Sequence, residues 1–161
     1  MERLRRNSIF AVCLLFALAG AGCDTGPPNG NVQVTISDII PGEGTLAEGN
    51  KIVTVHYTGR LASTSEVFDS TREEDREPLS FELETGLVEG DLQGSKVIDG
   101  FTRGVPGMRV GGLRRITVPP QLAWGSRGAG CNDLNEPTNC TIPPNATLIF
   151  DIELMDVREL E

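Results

Sequence analysis

This sequence of 161 residues is poor in the side chains on which many catalytic and metal sites depend. Its single histidine, His56, alternates with apolar residues on a predicted strand, so we expect it to be a structural or surface residue. One histidine supports neither a Ser-His-Asp triad nor a metal site. No G-x-x-x-x-G-K phosphate-binding loop is present. The acidic run from Arg72 to Glu77 lacks the order of a calcium loop, and we interpret it as a solvated loop face.

Positive charge is also scarce, since the formal net charge is −9. Phosphate backbones bind basic surfaces, so the sequence argues against a nucleic-acid partner. With no ligand set for a metal and no phosphate loop, we expect no metal and no cofactor.

Long apolar runs are missing as well. The run "IFAVCLLFALAGAG" follows three arginines and is shorter than the roughly 20 residues that a bilayer-spanning helix requires. A basic segment, a short apolar segment and small residues are typical of a secretory signal. We therefore predict that residues 1–22 are a signal peptide. A retained membrane-anchor helix is the alternative.

The end of this segment, "AGAGC", resembles the lipobox of bacterial lipoproteins. That resemblance implies a lipoprotein-type signal peptide and a lipid on Cys23. The protein would then be exported to the cell envelope and anchored through this lipid, either on the outer side of the cytoplasmic membrane or in the outer membrane. Cleavage after Ala21 by an ordinary signal peptidase is the alternative. Residues 23–31 are rich in Gly, Pro and Asn and are predicted to be a flexible tether.

Three cysteines remain once the predicted signal peptide is removed. An oxidising compartment permits a disulfide between Cys131 and Cys140, which leaves Cys23 free to carry the lipid. Two free thiols or a metal site are the alternatives for Cys131 and Cys140, although no histidine or third cysteine lies near them. We predict the disulfide.

Alternation of apolar and polar residues is the main pattern after residue 31. It predicts strands within "VQVTISDI", "KIVTVHYTG", "PLSFELE", "GLRRITVP" and "ATLIFDIELMDV". In "SKVIDGFTRGVPGM" the apolar spacing is helical instead, and Pro106 should end this helix near Val105. Residues 32–161 are therefore predicted to be one α+β domain, in which a curved antiparallel sheet of five strands packs on one short helix.

Several of these segments together are similar to one family. "VHYTGRL" with "VFDST", "VIDGFTRGVPGMRVGGLRRITVPPQLAWG" and "IPPNATLIFDIEL" resemble the FK506-binding-protein (FKBP) class of peptidyl-prolyl cis-trans isomerases. The resemblance runs from about Val32 to Val157. It implies a five-stranded curved antiparallel sheet wrapped around one short helix, with an apolar cleft between them.

The resemblance also implies which residues form that cleft. The catalytic residues would be Asp69, Tyr57 and Trp124, and the substrate-binding residues would be Phe68, Leu79, Val97, Ile98, Phe101, Ile142 and Phe150. Phe101 stands where the family usually has Trp on the cleft floor, and Trp124 stands near the usual place of a Tyr. The loop that carries Cys131 and Cys140 is longer than in compact members, and we expect it to overhang the cleft.

The implied activity is acceleration of X–Pro bond rotation in exported proteins. Its substrates would be unfolded or partly folded polypeptides that contain proline, and its inhibitors would be macrolides like FK506. We expect a monomer. The alternative is a binding or holding module that captures segments containing proline without turnover.

Overall fold

The structure is a computed structural model that describes residues 32–73, 76–131 and 140–160. The predicted signal peptide, the predicted tether and Cys23 lie outside these ranges. Among the described residues there is no helix with the length and apolar character that crossing a bilayer would need.

Eight strands and one α-helix lie in the described ranges. The strands are β1 (Thr35–Ile40), β2 (Lys51–Leu61), β3 (Val67–Ser70), β4 (Leu79–Glu82), β5 (Leu113–Val118), β6 (Ala129–Cys131), β7 (Cys140–Ile142) and β8 (Leu148–Glu159). The helix is α1 (Asp99–Gly104), and two short 3-10 turns follow β5, at Pro120–Leu122 and Gly125–Arg127. Six strands form an antiparallel sheet in the order β1-β5-β8-β2-β3, with β4 also paired to β2, and β6 pairs with β7 in a separate hairpin.

The predicted α+β class is confirmed, with an antiparallel sheet and one short helix. All five predicted strands are present as β1, β2, β4, β5 and β8, and α1 ends at Gly104 with Val105 as its C-cap, directly before Pro106 as predicted. The sheet has a sixth strand, β3, that the sequence analysis did not predict. Its four residues, "VFDS", do not alternate between apolar and polar side chains, so the pattern gave no sign of a strand.

The core lies between the concave face of the sheet and α1. Strands β2 and β8 pair over their whole length at the centre of the sheet. Their inward-facing side chains alternate with outward-facing ones, which is why their apolar residues are buried. The largest fully buried side chains are Phe81, Phe150, Ile116, Leu148, Ile152 and Leu154.

Close packing explains how α1 forms despite its two glycines. A Cβ atom on Gly104 would lie 2.9 Å from Ile116 Cδ1, so the helix approaches the sheet more closely than any other residue there would allow. Glycine is a poor helix former, and tertiary packing supplies the stability that the local sequence lacks.

A buried arginine links three elements. The Arg114 side chain of β5, with 6% of its surface exposed, donates to both carboxylate oxygens of Asp38 in β1, at 2.5 and 3.2 Å. It also donates to the carbonyl oxygens of Gly104 and Pro106, each at 2.9 Å. A buried guanidinium needs such partners, and these four hydrogen bonds fix β1 and the end of α1 to the sheet.

Candidate functional site

A cleft of about 200 Å³ opens between α1, the sheet and the segment before α1. It contains all the predicted site residues except Ile142, together with two residues that the sequence analysis did not name. The lining residues are Tyr57, Phe68, Asp69, Leu79, Val88, Lys96, Val97, Ile98, Phe101, Trp124 and Phe150. We call the space that these residues line the cleft.

Four aromatic rings form the floor and one wall of the cleft. Phe101 of α1 is 3% exposed and Phe150 of β8 is 2% exposed, and their ring centroids are 5.0 Å apart. Phe68 meets Phe150 at 5.6 Å with an interplanar angle of 89°, and Tyr57 meets Phe101 at 5.4 Å. Such edge-to-face contacts are a favoured aromatic geometry, so the rings form a rigid apolar surface.

A glycine in β2 makes this ring arrangement possible. Gly59 lies on the inward face of β2, directly opposite Phe150 of β8. A Cβ atom at this position would lie 2.6 Å from Phe68 Cζ and 2.8 Å from Phe150 Cε1. Both distances are shorter than van der Waals contact between carbon atoms, about 3.5–4.0 Å. The rings therefore occupy the space that a side chain on β2 would fill.

Pairing between β2 and β3 brings the phenol and the carboxylate together. Gly59 pairs with Asp69, and the register then shifts at a bulge before Arg60. The Tyr57 hydroxyl donates a hydrogen bond to Asp69 Oδ2 at 2.5 Å. Burial and then this hydrogen bond to Asp69 raise the pKa of Tyr57 above its ordinary value of 10.0, so the phenol remains a proton donor at neutral pH.

An arginine side chain also holds the same carboxylate. Arg76 Nη2 lies 3.0 Å from Asp69 Oδ1. Arg76 is exposed, as the interpretation of the run from Arg72 to Glu77 as a solvated loop face expects, but its side chain also reaches back to the cleft. Arg72 likewise pairs with Glu153 on β8. Spacing alone could not show this, since a loop residue's partner depends on how the loop folds back.

Two hydrogen-bond donors at the cleft have no partner in the described part of the chain. The Ile98 residue before α1 is extended, with φ −64° and ψ 152°, and its backbone N–H makes no hydrogen bond there. Trp124, 38% exposed, stands at the rim with its ring 6.2 Å from that of Phe68, and its indole N–H is also unbonded among the described residues. Both are available to the carbonyl groups of a bound peptide.

The two unpredicted lining residues come from a segment that precedes α1. We name residues 86–97 the flap. Within it, Leu87 pairs with Lys96 and Val88 pairs with Phe81 of β4, and the Val97 N–H donates to the Gly86 carbonyl at 2.9 Å. These contacts place Val88 and Lys96 at the edge of the cleft. Neither residue was predicted, because neither Val88 nor Lys96 belongs to the segments that resemble the family.

Ile142 lies in an adjoining cavity rather than in the cleft. This cavity, of about 240 Å³, shares Phe68, Asp69 and Trp124 with the cleft and is otherwise lined by Ala129, Gly130, Thr141 and Ile142. Residues from β6 and β7 form its outer wall, and the predicted disulfide between Cys131 and Cys140 joins these strands. The prediction that this loop overhangs the cleft concerns mainly residues 132–139, which lie outside the described ranges.

His56 contacts a neighbouring segment of the sheet. The Nδ1 atom of His56 is 3.1 Å from the Thr71 hydroxyl, a contact between neighbouring segments of the sheet that fits the predicted structural role. Among residues 32–73, 76–131 and 140–160, no three His, Cys, Asp or Glu side chains converge closely enough to hold a metal ion.

Comparison with known proteins agrees with this geometry. Residues 43–155 match the model of a family described as FKBP-type peptidyl-prolyl cis-trans isomerase. An FK506-binding protein of Neisseria meningitidis serogroup A is 40% identical over 127 residues, which are 79% of this chain and 98% of that protein. The peptidyl-prolyl cis-trans isomerase FKBP15-3 of Arabidopsis thaliana is 40% identical over 115 residues.

The extent of these matches differs between relatives. The match to the Arabidopsis protein covers 71% of this chain and 66% of the length of the Arabidopsis protein. Among solved structures, AtFKBP13 is similar, with a TM-score of 0.59 and 34% identity, over 76% of this chain and 91% of that one. The family match covers most of the chain and includes the strands and the helix that line the cleft. This chain therefore belongs to the FKBP-type peptidyl-prolyl cis-trans isomerase family.

Proposed function

We propose that this protein is a peptidyl-prolyl cis-trans isomerase that acts on proline-containing segments of exported, unfolded or partly folded polypeptides. The observation that carries the proposal is the cleft itself, in which a cage of aromatic rings stands next to a carboxylate held by a phenol. The cleft offers a ring-sized apolar surface and two free hydrogen-bond donors, which together suit a proline with its flanking carbonyl groups.

The chemistry requires neither a nucleophile nor a proton transfer. Rotation about an X–Pro bond is slow, with times of about tens to hundreds of seconds, because the C–N bond has partial double-bond character. In the twisted transition state this resonance is lost and the charge separation across the amide falls. A dry apolar pocket therefore favours the twisted form over the planar one. A barrier lowered by about 5–7 kcal/mol corresponds to an acceleration of about 10⁴- to 10⁵-fold.

Each group in the cleft has a part in this mechanism. Phe68 and Phe150 grip the proline ring over the floor that Phe101 forms. The Ile98 N–H and the Trp124 indole donate to flanking carbonyl groups. Asp69, oriented by the Tyr57 hydroxyl, lies near the rotating carbonyl and stabilises its altered charge distribution.

The test is isomerisation of a short X–Pro peptide by the chain from Asp24 onward. Saturable acceleration that FK506 inhibits is expected. Phe150→Ala should abolish it, and Asp69→Ala should reduce it, because the ring supplies the grip whereas the carboxylate only contributes electrostatically. A matched control is Leu148→Ala, which also truncates a fully buried side chain of β8 but one that does not line the cleft. FK506 binding without acceleration would favour the holding module, and neither binding nor acceleration would refute both functions.

The proposal includes export and a lipid on Cys23, for which the sequence before residue 24 is the support. A disulfide such as Cys131–Cys140 is typical of proteins from oxidising compartments, which fits export. Expression of the full chain in a bacterial host, followed by separation of membrane and soluble fractions, tests this. Cys23→Ser should move the protein from the membrane to the soluble fraction. Recovery of both forms in the soluble fraction would favour cleavage after Ala21. Sedimentation of the soluble form tests whether it is a monomer.

A further inference from the structure

The cleft contains one charge that nothing in the described structure neutralises. Asp69 and Lys96 are its charged lining residues, and Asp69 is already held by Tyr57 and Arg76. Lys96 is exposed, and its ammonium group makes no ion pair and no hydrogen bond within the described ranges. The formal net charge of the chain is −9, yet the unpaired charge at the cleft is the positive charge of the Lys96 ammonium group.

The flap holds Lys96 in a defined place rather than on a free loop. Lys96 pairs with Leu87 on the opposite side of the flap, and the next residue, Val97, is bonded to Gly86. Lys96 lies two residues before Ile98, and both residues line the cleft. The lysine is therefore close along the chain to the backbone donor that is expected to hold a carbonyl of the bound peptide.

We infer that Lys96 determines substrate specificity by selecting segments with an acidic side chain next to the proline or one position removed from it. The inference rests on the proposed function, because it assigns the substrate class of the same cleft. A carboxylate at that position would form a solvent-exposed ion pair with the ammonium group. Such pairs contribute modestly, so the expected preference for Glu over Gln is about two- to fivefold. It should weaken as the ionic strength rises, because salt screens exposed charges.

The experiment uses a set of peptides that each contain one proline. In each peptide a single position carries Glu, Gln or Lys, and this position is one or two residues before or after the proline. Affinity is measured through the fluorescence of Trp124, the only tryptophan in the chain, which stands at the cleft rim. The kcat/KM for isomerisation is measured on the same peptides. The variants are Lys96→Gln and Lys96→Glu. The matched control is Lys51→Gln, since Lys51 is the only other lysine, lies outside the cleft and pairs with Glu159 at 3.3 Å.

At one or more of these positions the wild-type protein should prefer Glu over Gln, and Gln over Lys. Lys96→Gln should remove this order and Lys96→Glu should reverse it, whereas Lys51→Gln should leave it unchanged. The inference would be overturned if Lys96→Glu kept the preference for Glu over Gln and Lys, or if Lys51→Gln changed that preference as much as the Lys96 variants do. Isomerisation of the uncharged peptides would still establish the isomerase in either case. If no peptide is isomerised, the affinities still decide the inference, and only the proposed activity fails.

Discussion

Substitution of Gly59 by alanine tests whether the ring cage is the functional part of the cleft. The added Cβ atom would lie 2.6 Å from Phe68 Cζ and 2.8 Å from Phe150 Cε1. Since van der Waals contact needs about 3.5–4.0 Å, one or both rings must move by about 1 Å, and the open space available to them is the cleft. Overpacking of a core position costs about 1–3 kcal/mol of unfolding free energy.

The effect on activity should exceed the effect on stability. A misplacement of about 1 Å at a positioning residue can reduce the rate about 100-fold, so we expect Gly59→Ala to lower kcat/KM by about one to two orders of magnitude. The loss of stability should lower the melting temperature by about 3–12 °C. Isomerisation of an X–Pro peptide, measured well below this temperature, and thermal unfolding followed by circular dichroism provide the two quantities.

A second glycine offers the matched control. Gly104 of α1 is also buried, and a Cβ atom there would lie 2.9 Å from Ile116 Cδ1, but neither residue lines the cleft. Gly104→Ala should therefore lower the melting temperature without a comparable loss of kcat/KM. The reasoning is refuted if Gly59→Ala retains wild-type kcat/KM, or if the two variants lose activity in proportion to their loss of stability.

Three further predictions concern the groups around the cleft. Burial and Asp69 raise the pKa of Tyr57, so the folded state holds the phenol proton more tightly than the unfolded state does. The contribution of this proton to the unfolding free energy is complete below the ordinary pKa of 10.0 and is lost as the pH rises through the higher pKa of the folded state. Absorbance of the chain's single tyrosine should show this ionisation delayed, and Tyr57→Phe should flatten the alkaline decline in unfolding free energy; ionisation at the ordinary pKa would contradict the reasoning. Arg76→Gln should lower kcat/KM less than about fivefold, because its ion pair with Asp69 is partly exposed, and the difference from wild type should shrink in high salt; a larger loss that salt does not change would mean that Arg76 contacts the substrate itself. Replacing Cys131 and Cys140 together by serine should lower the unfolding free energy by about 2–3 kcal/mol, the chain-entropy value for so short a loop; urea unfolding measures it, and an unchanged midpoint would show that the disulfide does not constrain the unfolded chain.

Alternation predicted the central strands, in which one face is buried and the other is less buried, and also β1, although all six residues of β1 are exposed. This condition holds for β2 and β8, whose buried and less buried residues follow each other along the chain. It fails for β6 and β7, which have three residues each. It also fails for Arg114, because a charged residue at an inward position gives no sign of the partners that make its burial possible.

The predicted site residues came from motif positions, and the structure brings nearly all of them into one cleft. The residues that were missed, Val88, Lys96 and Arg76, lie in loops outside the segments that resemble the family. Their places depend on flap and loop contacts between segments, such as that of Val88 with Phe81, which no local pattern encodes. A lysine directly before the "VI" that opens the helix segment was the one available signal.

The position of β8 has a consequence for the order in which the protein can fold. This strand follows all the others along the chain, yet it lies between β5 and β2 in the sheet. Neither of these two strands has its main partner until β8 has been synthesised, so the sheet cannot form progressively from the N-terminal side. Contacts between strands so far apart in sequence also form slowly. The chain thus remains without its central sheet until β8 has been made, and Phe150, a wall of the cleft, arrives with that strand.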